Sequence, residues 1–325
     1  MTQARATADR IATLAIVAIA CAVFPLVGSR FHVDLATTIM IFAIFALSLE
    51  LLVGETGLVS FGHAAFLGIG AYATVLLSPK TGAASLAWLL PAAMVVTALC
   101  AALIGALSLR TRGVYFIMVT LAFSQMAYYV FHDTAIGGGS DGIYLNVKPA
   151  LPFGADLANA RTFYYVTFAL LVATFAVLAA IKRSRFGHAL AGIRVNELRM
   201  RAAGFSTYAY KFAAFIIAGA LAGMAGVLWA SKDGFVNPEI LSWHQSGAVL
   251  LMLILGGLGS LRGAMLGALV FVALKELFQS EALFGAFAKH WQLSLGLAII
   301  VLVATMPRGL MGIAAQVRRA REQRP

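Results

Sequence analysis

The feature that most restricts this chain is its succession of apolar runs, each close to the length that crosses a lipid bilayer. A helix needs about 20 apolar residues to traverse the hydrocarbon core. Segments of this kind occupy Ile11–Val27, Leu35–Val53, Leu58–Leu77, Leu86–Leu109, Val114–Phe131, Thr162–Ile181, Phe212–Ala230, His244–Leu258, Ala264–Phe278 and Trp291–Met306. Of the 325 residues, 61% are hydrophobic and 11% are charged, against about 25% charged in an ordinary soluble domain. In water such a chain would expose more apolar surface than solubility allows. The sequence therefore predicts an all-α polytopic membrane protein with about ten transmembrane or re-entrant helices.

The net charge of +11 does not point to nucleic acid, because the basic residues lie in short runs between the apolar segments. With the N-terminus in the cytoplasm and all ten segments crossing, 17 Lys and Arg fall inside and 6 outside, with Lys275 within a span. Cytoplasmic segments of membrane proteins carry the excess of Lys and Arg, so both termini are expected inside. Residues 1–10 then form a cytoplasmic tail, 11–306 a transmembrane domain and 307–325 a basic cytoplasmic tail. The apolar run at Ile11–Val27 lacks a small-x-small cleavage site ahead of a soluble domain and is expected to remain as an uncleaved span. Cys21 and Cys100 both lie inside apolar runs, which argues against a disulfide framework. Residues 132–161 are expected as an external loop and 182–210 as a cytoplasmic loop, the latter with six basic residues and one acid, Glu197.

Catalytic patterns are missing from the sequence. No G-x-S-x-G or H-E-x-x-H occurs, and no lysine follows a glycine, so a phosphate-binding P-loop cannot form. Work done by this chain must draw on another subunit or on an ion gradient. A secondary transporter would carry a deep carboxylate for ion coupling, and no span shows one clearly. Glu50, Lys275 and Glu276 lie near span ends, where snorkelling accounts for them. His63 and Gln125 lie deeper and are candidates for lining a translocation path. Glycine clusters at Gly57 and Gly62, and again at Gly256 and Gly257, predict interrupted helices whose freed backbone groups line that path. GLVSFGHA from Gly57 and GLGSLRGA from Gly257 share a register of Gly, Leu, Ser and Ala, a weak internal echo of the kind transporters often contain. In the cytoplasmic loop, His188–Ala203 holds good helix formers and predicts one short helix capped by Gly204.

That loop, KRSRFGHALAGIRVNELRMRAAGFSTYAYKF, resembles the coupling segment of the LivM-type branched-chain amino acid ABC transporter permease family. GLVSFGHAAFLGIGAYA, RGVYFIMVTLAF, GGSDGI, AGALAGMAGVLWA, GFVNPE and LILGGLGSLRGAMLGA extend the resemblance over most of residues 35–310. The resemblance implies a permease subunit of the bacterial inner membrane, without cofactor or catalytic residue. It also implies a sister permease subunit, two ATP-binding cassette subunits and a periplasmic substrate-binding protein. Arg194, Asn196, Glu197 and Gly204 would then belong to a helix docking on the ATPase, anchored by Phe186 and Phe205. Asp141, in the external GGSDGI turn, becomes a candidate contact for the binding protein. Leucine, isoleucine and valine are the implied cargo, and relatives that carry urea, short amides or aromatic acids are the alternative.

Overall fold

A computed structural model describes residues 24–26, 28–79, 82–151, 157–306 and 309–312. The first apolar segment, Ile11–Val27, and both tails fall almost wholly outside these residues. The described chain is a helical bundle built around two long, deeply packed helices, α1 (Arg30–Glu50) and α8 (Thr207–Asp233). Between them, in chain order, come α2 (His63–Leu77), α3 (Leu86–Ser108), α4 (Val114–Asp133), α5 (Ala160–Arg183) and two short helices, α6 (Arg185–Val195) and α7 (Glu197–Ala202). After α8 follow α9 (Trp243–Gly256), α10 (Leu261–Gln279), α11 (Glu281–Phe284) and α12 (Trp291–Thr305). Among the described residues, six helical stretches are long and apolar enough to span a membrane, or seven if the bent pair α9 and α10 is one span.

α1 continues as a π-helical turn, Leu51–Thr56, and stops at Gly57, whose φ of 75° lies in the left-handed region where a side chain is unfavourable. Leu58–Gly62 are not helical. Their backbone is held by bonds from Leu58 N–H to the Leu52 carbonyl at 3.1 Å and from Phe61 N–H to Thr120 Oγ1 at 3.3 Å. The third apolar segment therefore begins its helix at His63 and not at Leu58. Its 15 residues reach about 22 Å at 1.5 Å each, short of the bilayer core. The second predicted break is also present: α9 and α10 meet at an angle of 116° across Gly257 (φ 105°) and Gly259 (φ 85°).

Small residues set the packing. A methyl on Gly226 would strike the Leu67 carbonyl, and one on Gly70 would strike Gly223, so α2 and α8 touch backbone to backbone. Gly267 meets Met252 in the same way where α10 folds back on α9. At one end of the bundle, Ile143–Tyr144 (β1) pairs antiparallel with Phe235–Val236 (β2), with Ile143 opposite Val236 and Tyr144 opposite Phe235. This clasp holds the 132–161 loop against the end of α8.

Candidate functional site

The basic loop at 182–210 is braced from within. α5 ends at Ser184, whose hydroxyl accepts from Gly187 N–H at 3.2 Å and so caps α6. Asn196 takes an extended conformation, φ −156° and ψ 96°, which ends α6, and its side chain accepts from Arg199 N–H at 2.9 Å to start α7. The single helix expected over His188–Ala203 is thus two helices, because the Asn side chain offers the backbone a cap that outcompetes continuation. Gly204, at φ 87°, closes α7, with Phe205 N–H bonding back to the Met200 carbonyl at 3.1 Å.

Glu197 ties the loop to the bundle. It accepts from Arg201 Nη2 at 2.6 Å, Lys211 Nζ at 2.7 Å and Thr207 Oγ1 at 3.1 Å. Burial pushes its carboxyl up, but Lys211, Thr207 and Arg201 outweigh that and hold it below the usual carboxylate range. Phe186 stacks on Tyr210 at 5.6 Å, and Phe205 leans on the same ring at 6.0 Å, so both aromatics fasten the loop to the first turn of α8. What the loop turns outward is Val195 and Leu198, 83% and 71% exposed. Sequence reasoning missed this pair; the signal lay in RVNELR, where two apolar residues interrupt a charged run. Beside them opens a cleft of about 530 Å³, bordered by Gly57, Arg110, Arg112, Arg194 and Arg201.

The remaining candidates are spread through the bundle. His63 is fully enclosed; its Nε2 lies 2.8 Å from Ser48 Oγ, and its ring stacks on Phe45. Gln125 is half-buried on α4, and its amide oxygen has no hydrogen-bond partner among the described residues. Gly62 presses on the Thr120 backbone, Gly57 on Arg194, and Gly256 on Gly263. Gly257 forms the bend between α9 and α10. Asp141 is exposed at the end of the 3-10 turn Gly139–Asp141. Lys275 and Glu276, expected to snorkel, border a cavity of about 640 Å³ with Trp229 and Trp291, and Lys275 Nζ sits 5.4 Å from the Trp291 ring centre.

A multi-pass apolar bundle with glycine-broken helices and a braced basic loop has the build of a membrane permease. The family model described as branched-chain amino acid transport system permease component matches residues 31–306, and the chain belongs to that family. It is 33% identical, over 92% of its length and 74% of the relative's, to the high-affinity branched-chain amino acid transport permease LivM of Salmonella typhimurium. It is 26% identical to the permease BraD of Pseudomonas aeruginosa and 26% identical to LivH of Escherichia coli, each over 83% of this chain and 91% of the relative. No solved structure matches the chain significantly.

Proposed function

We propose that this chain is one permease subunit of an ABC importer for branched-chain amino acids in the bacterial inner membrane. Two ATP-binding cassette subunits would drive it, with a sister permease completing the pore and a periplasmic binding protein delivering cargo. The observation that carries this reading is the cytoplasmic loop, a short rigid element braced through Glu197 and Asn196 that offers Val195 and Leu198 to a partner. Apolar side chains held exposed beside a polar rim are what a docking site requires. The names of the relatives supply the cargo class.

In this reading α6 and α7 are the coupling segment, with Arg194, Asn196, Glu197 and Gly204 shaping it and Phe186 and Phe205 anchoring it. Ten segments cross or re-enter, with both termini inside. His63 and Gln125, with Gly57, Gly62, Gly256 and Gly257, border the translocation path, and the Ser48 hydroxyl fixes the position of His63.

Affinity purification from the native membrane tests the proposal: an ATPase should copurify, and uptake should stop when ATP is depleted. Leu198→Glu should release the ATPase while leaving the permease folded in the membrane. Replacing Glu197 with Lys or Gly204 with a bulky residue should uncouple hydrolysis from uptake. Uphill solute movement by the purified chain alone would overturn the reading.

A further inference from the structure

Four ionisable side chains meet at the inner end of α1. Glu50 is fully buried, and Glu55 is 6% exposed. Lys182, the penultimate residue of α5, forms an ion pair with Glu55. Arg194, near the end of α6, donates through Nη1 to the Gly54 carbonyl. Glu50 faces the Gly259 backbone and lies within the field of both cations and of Glu55; apart from that backbone its carboxylate oxygens have no hydrogen-bond partner among the described residues. The Glu55–Lys182 ion pair and the Arg194 guanidinium thus sit beside buried Glu50, in a place where an unpaired charge is costly.

The two cations also reach the second glycine bend. Lys182 Nζ donates to the Gly259 carbonyl at 2.8 Å. The Arg194 side chain runs past Gly57 and ends beside Gly259, so close that an added β-carbon would lie 3.4 Å from its Cγ at Gly57 and 3.5 Å from its Nη1 at Gly259. These are the two bends that carry the related GLVSFGHA and GLGSLRGA sequences. One bend joins α1 to α2 and the other joins α9 to α10. The stretch that leads into and through α6 grips both.

We infer that Lys182 and Arg194 form a two-armed clamp through which the corner between α5 and α6 moves both bends together. The physical reason is asymmetric cost. Withdrawing that corner, which carries Lys182 at the end of α5 and Arg194 on α6, would leave Glu55 buried without its counter-ion and Glu50 without the field of either cation, and stripping a buried acid of its partner costs far more than the intact pair contributes. Backbone carbonyls at Gly54 and Gly259 would lose their donors at the same time. A displacement of the α5–α6 corner is therefore transmitted to the bends and is not absorbed between them. Both residues are positioning residues. The inference deepens the permease reading and rests on it, since it names how a push on the loop reaches the pore helices.

The test uses the complete transporter in sealed vesicles, with solute uptake and ATP hydrolysis measured together. Lys182→Met/Glu55→Met removes the pair without leaving a lone charge. It should assemble with the ATPase and hydrolyse ATP, yet move about tenfold less solute per ATP. Lys182→Arg, which keeps a charged donor, should retain the wild-type ratio. A wild-type ratio in the double variant, or a Lys182→Arg variant as poor as the double, would overturn the clamp. A second measurement needs no pair replacement. In a chain with Cys21 and Cys100 replaced by alanine, spin labels on Ala191→Cys, exposed on α6, and Leu258→Cys should keep one separation with and without bound nucleotide. A nucleotide-dependent change in that separation would also overturn the clamp. A wild-type complex that moves no solute on ATP would instead remove the underlying permease reading.

Discussion

Glu197 accepts three hydrogen bonds, and each donor comes from a different point on the chain: within α7, at the start of α8 and one turn further along α8. Its lowered pKa fixes the sign of its pH dependence. A carboxyl depressed in the folded state stabilises fully above its unfolded value, and the contribution disappears as pH falls through the lower folded value. The loop is thus expected to keep this brace throughout the neutral range and lose it only in acid below the ordinary carboxylate range. Glu197→Gln removes the charge at neutral pH. It should weaken the loop by about 1 kcal/mol, or about fivefold in opening. Trypsin cleavage after Arg199 and Arg201 in inside-out vesicles reads this directly. Equal cleavage of mutant and wild type would show that Glu197 does not brace the loop.

Helix α2 is short, glycine-bearing and locked against α8, and its packing leaves no room for change. Gly226→Val would drive a branched side chain into the Leu67 carbonyl and the Ala71 amide. Overpacking of this kind costs about 1–3 kcal/mol, so the variant should lose its thermal midpoint by several degrees in detergent, as read by fluorescence-detected size exclusion. Gly247, where an added methyl group would meet nothing within 4 Å, should accept alanine without loss. The sequence announced these elements unevenly. Apolar run lengths placed the long helices within a few residues, because bilayer thickness and helix rise leave little choice. The two bends were legible because glycines were clustered at both. The start of α2 was not, since the bonds that hold Leu58–Gly62 open include one from Thr120 on α4. The break at Asn196 was hidden in good helix-forming sequence, where one Asn cap decided the matter. The pairing of Glu55 with Lys182 lies between residues far apart in the chain, and no local pattern reveals it. The polarity and depth of His63 were legible in the sequence, but its bond to Ser48 and its stacking on Phe45 were not, since both partners lie on another helix.

Across the whole molecule, the two bends and the α6–α7 loop gather at one end, while the β1–β2 clasp and Asp141 sit at the other. A cysteine at position 198 should therefore label from the cytoplasm and one at position 141 from outside, in a background with the native cysteines replaced. Labelling of both from the same side would overturn this orientation. Asp141→Ala should weaken binding-protein-dependent uptake while leaving assembly intact; wild-type uptake would remove Asp141 from that contact. The most apolar window of the α1 stretch is 83% buried inside the chain, whereas those of α4 and α5 are 17% and 22% buried. Leu99, Leu103, Tyr115, Met118 and Ile300 point away from the bundle. Among the described residues a broad oily girdle is left uncovered. The molecule's durability after extraction will follow the amphiphile that replaces the bilayer, so lipid nanodiscs should preserve what short-chain detergents let collapse.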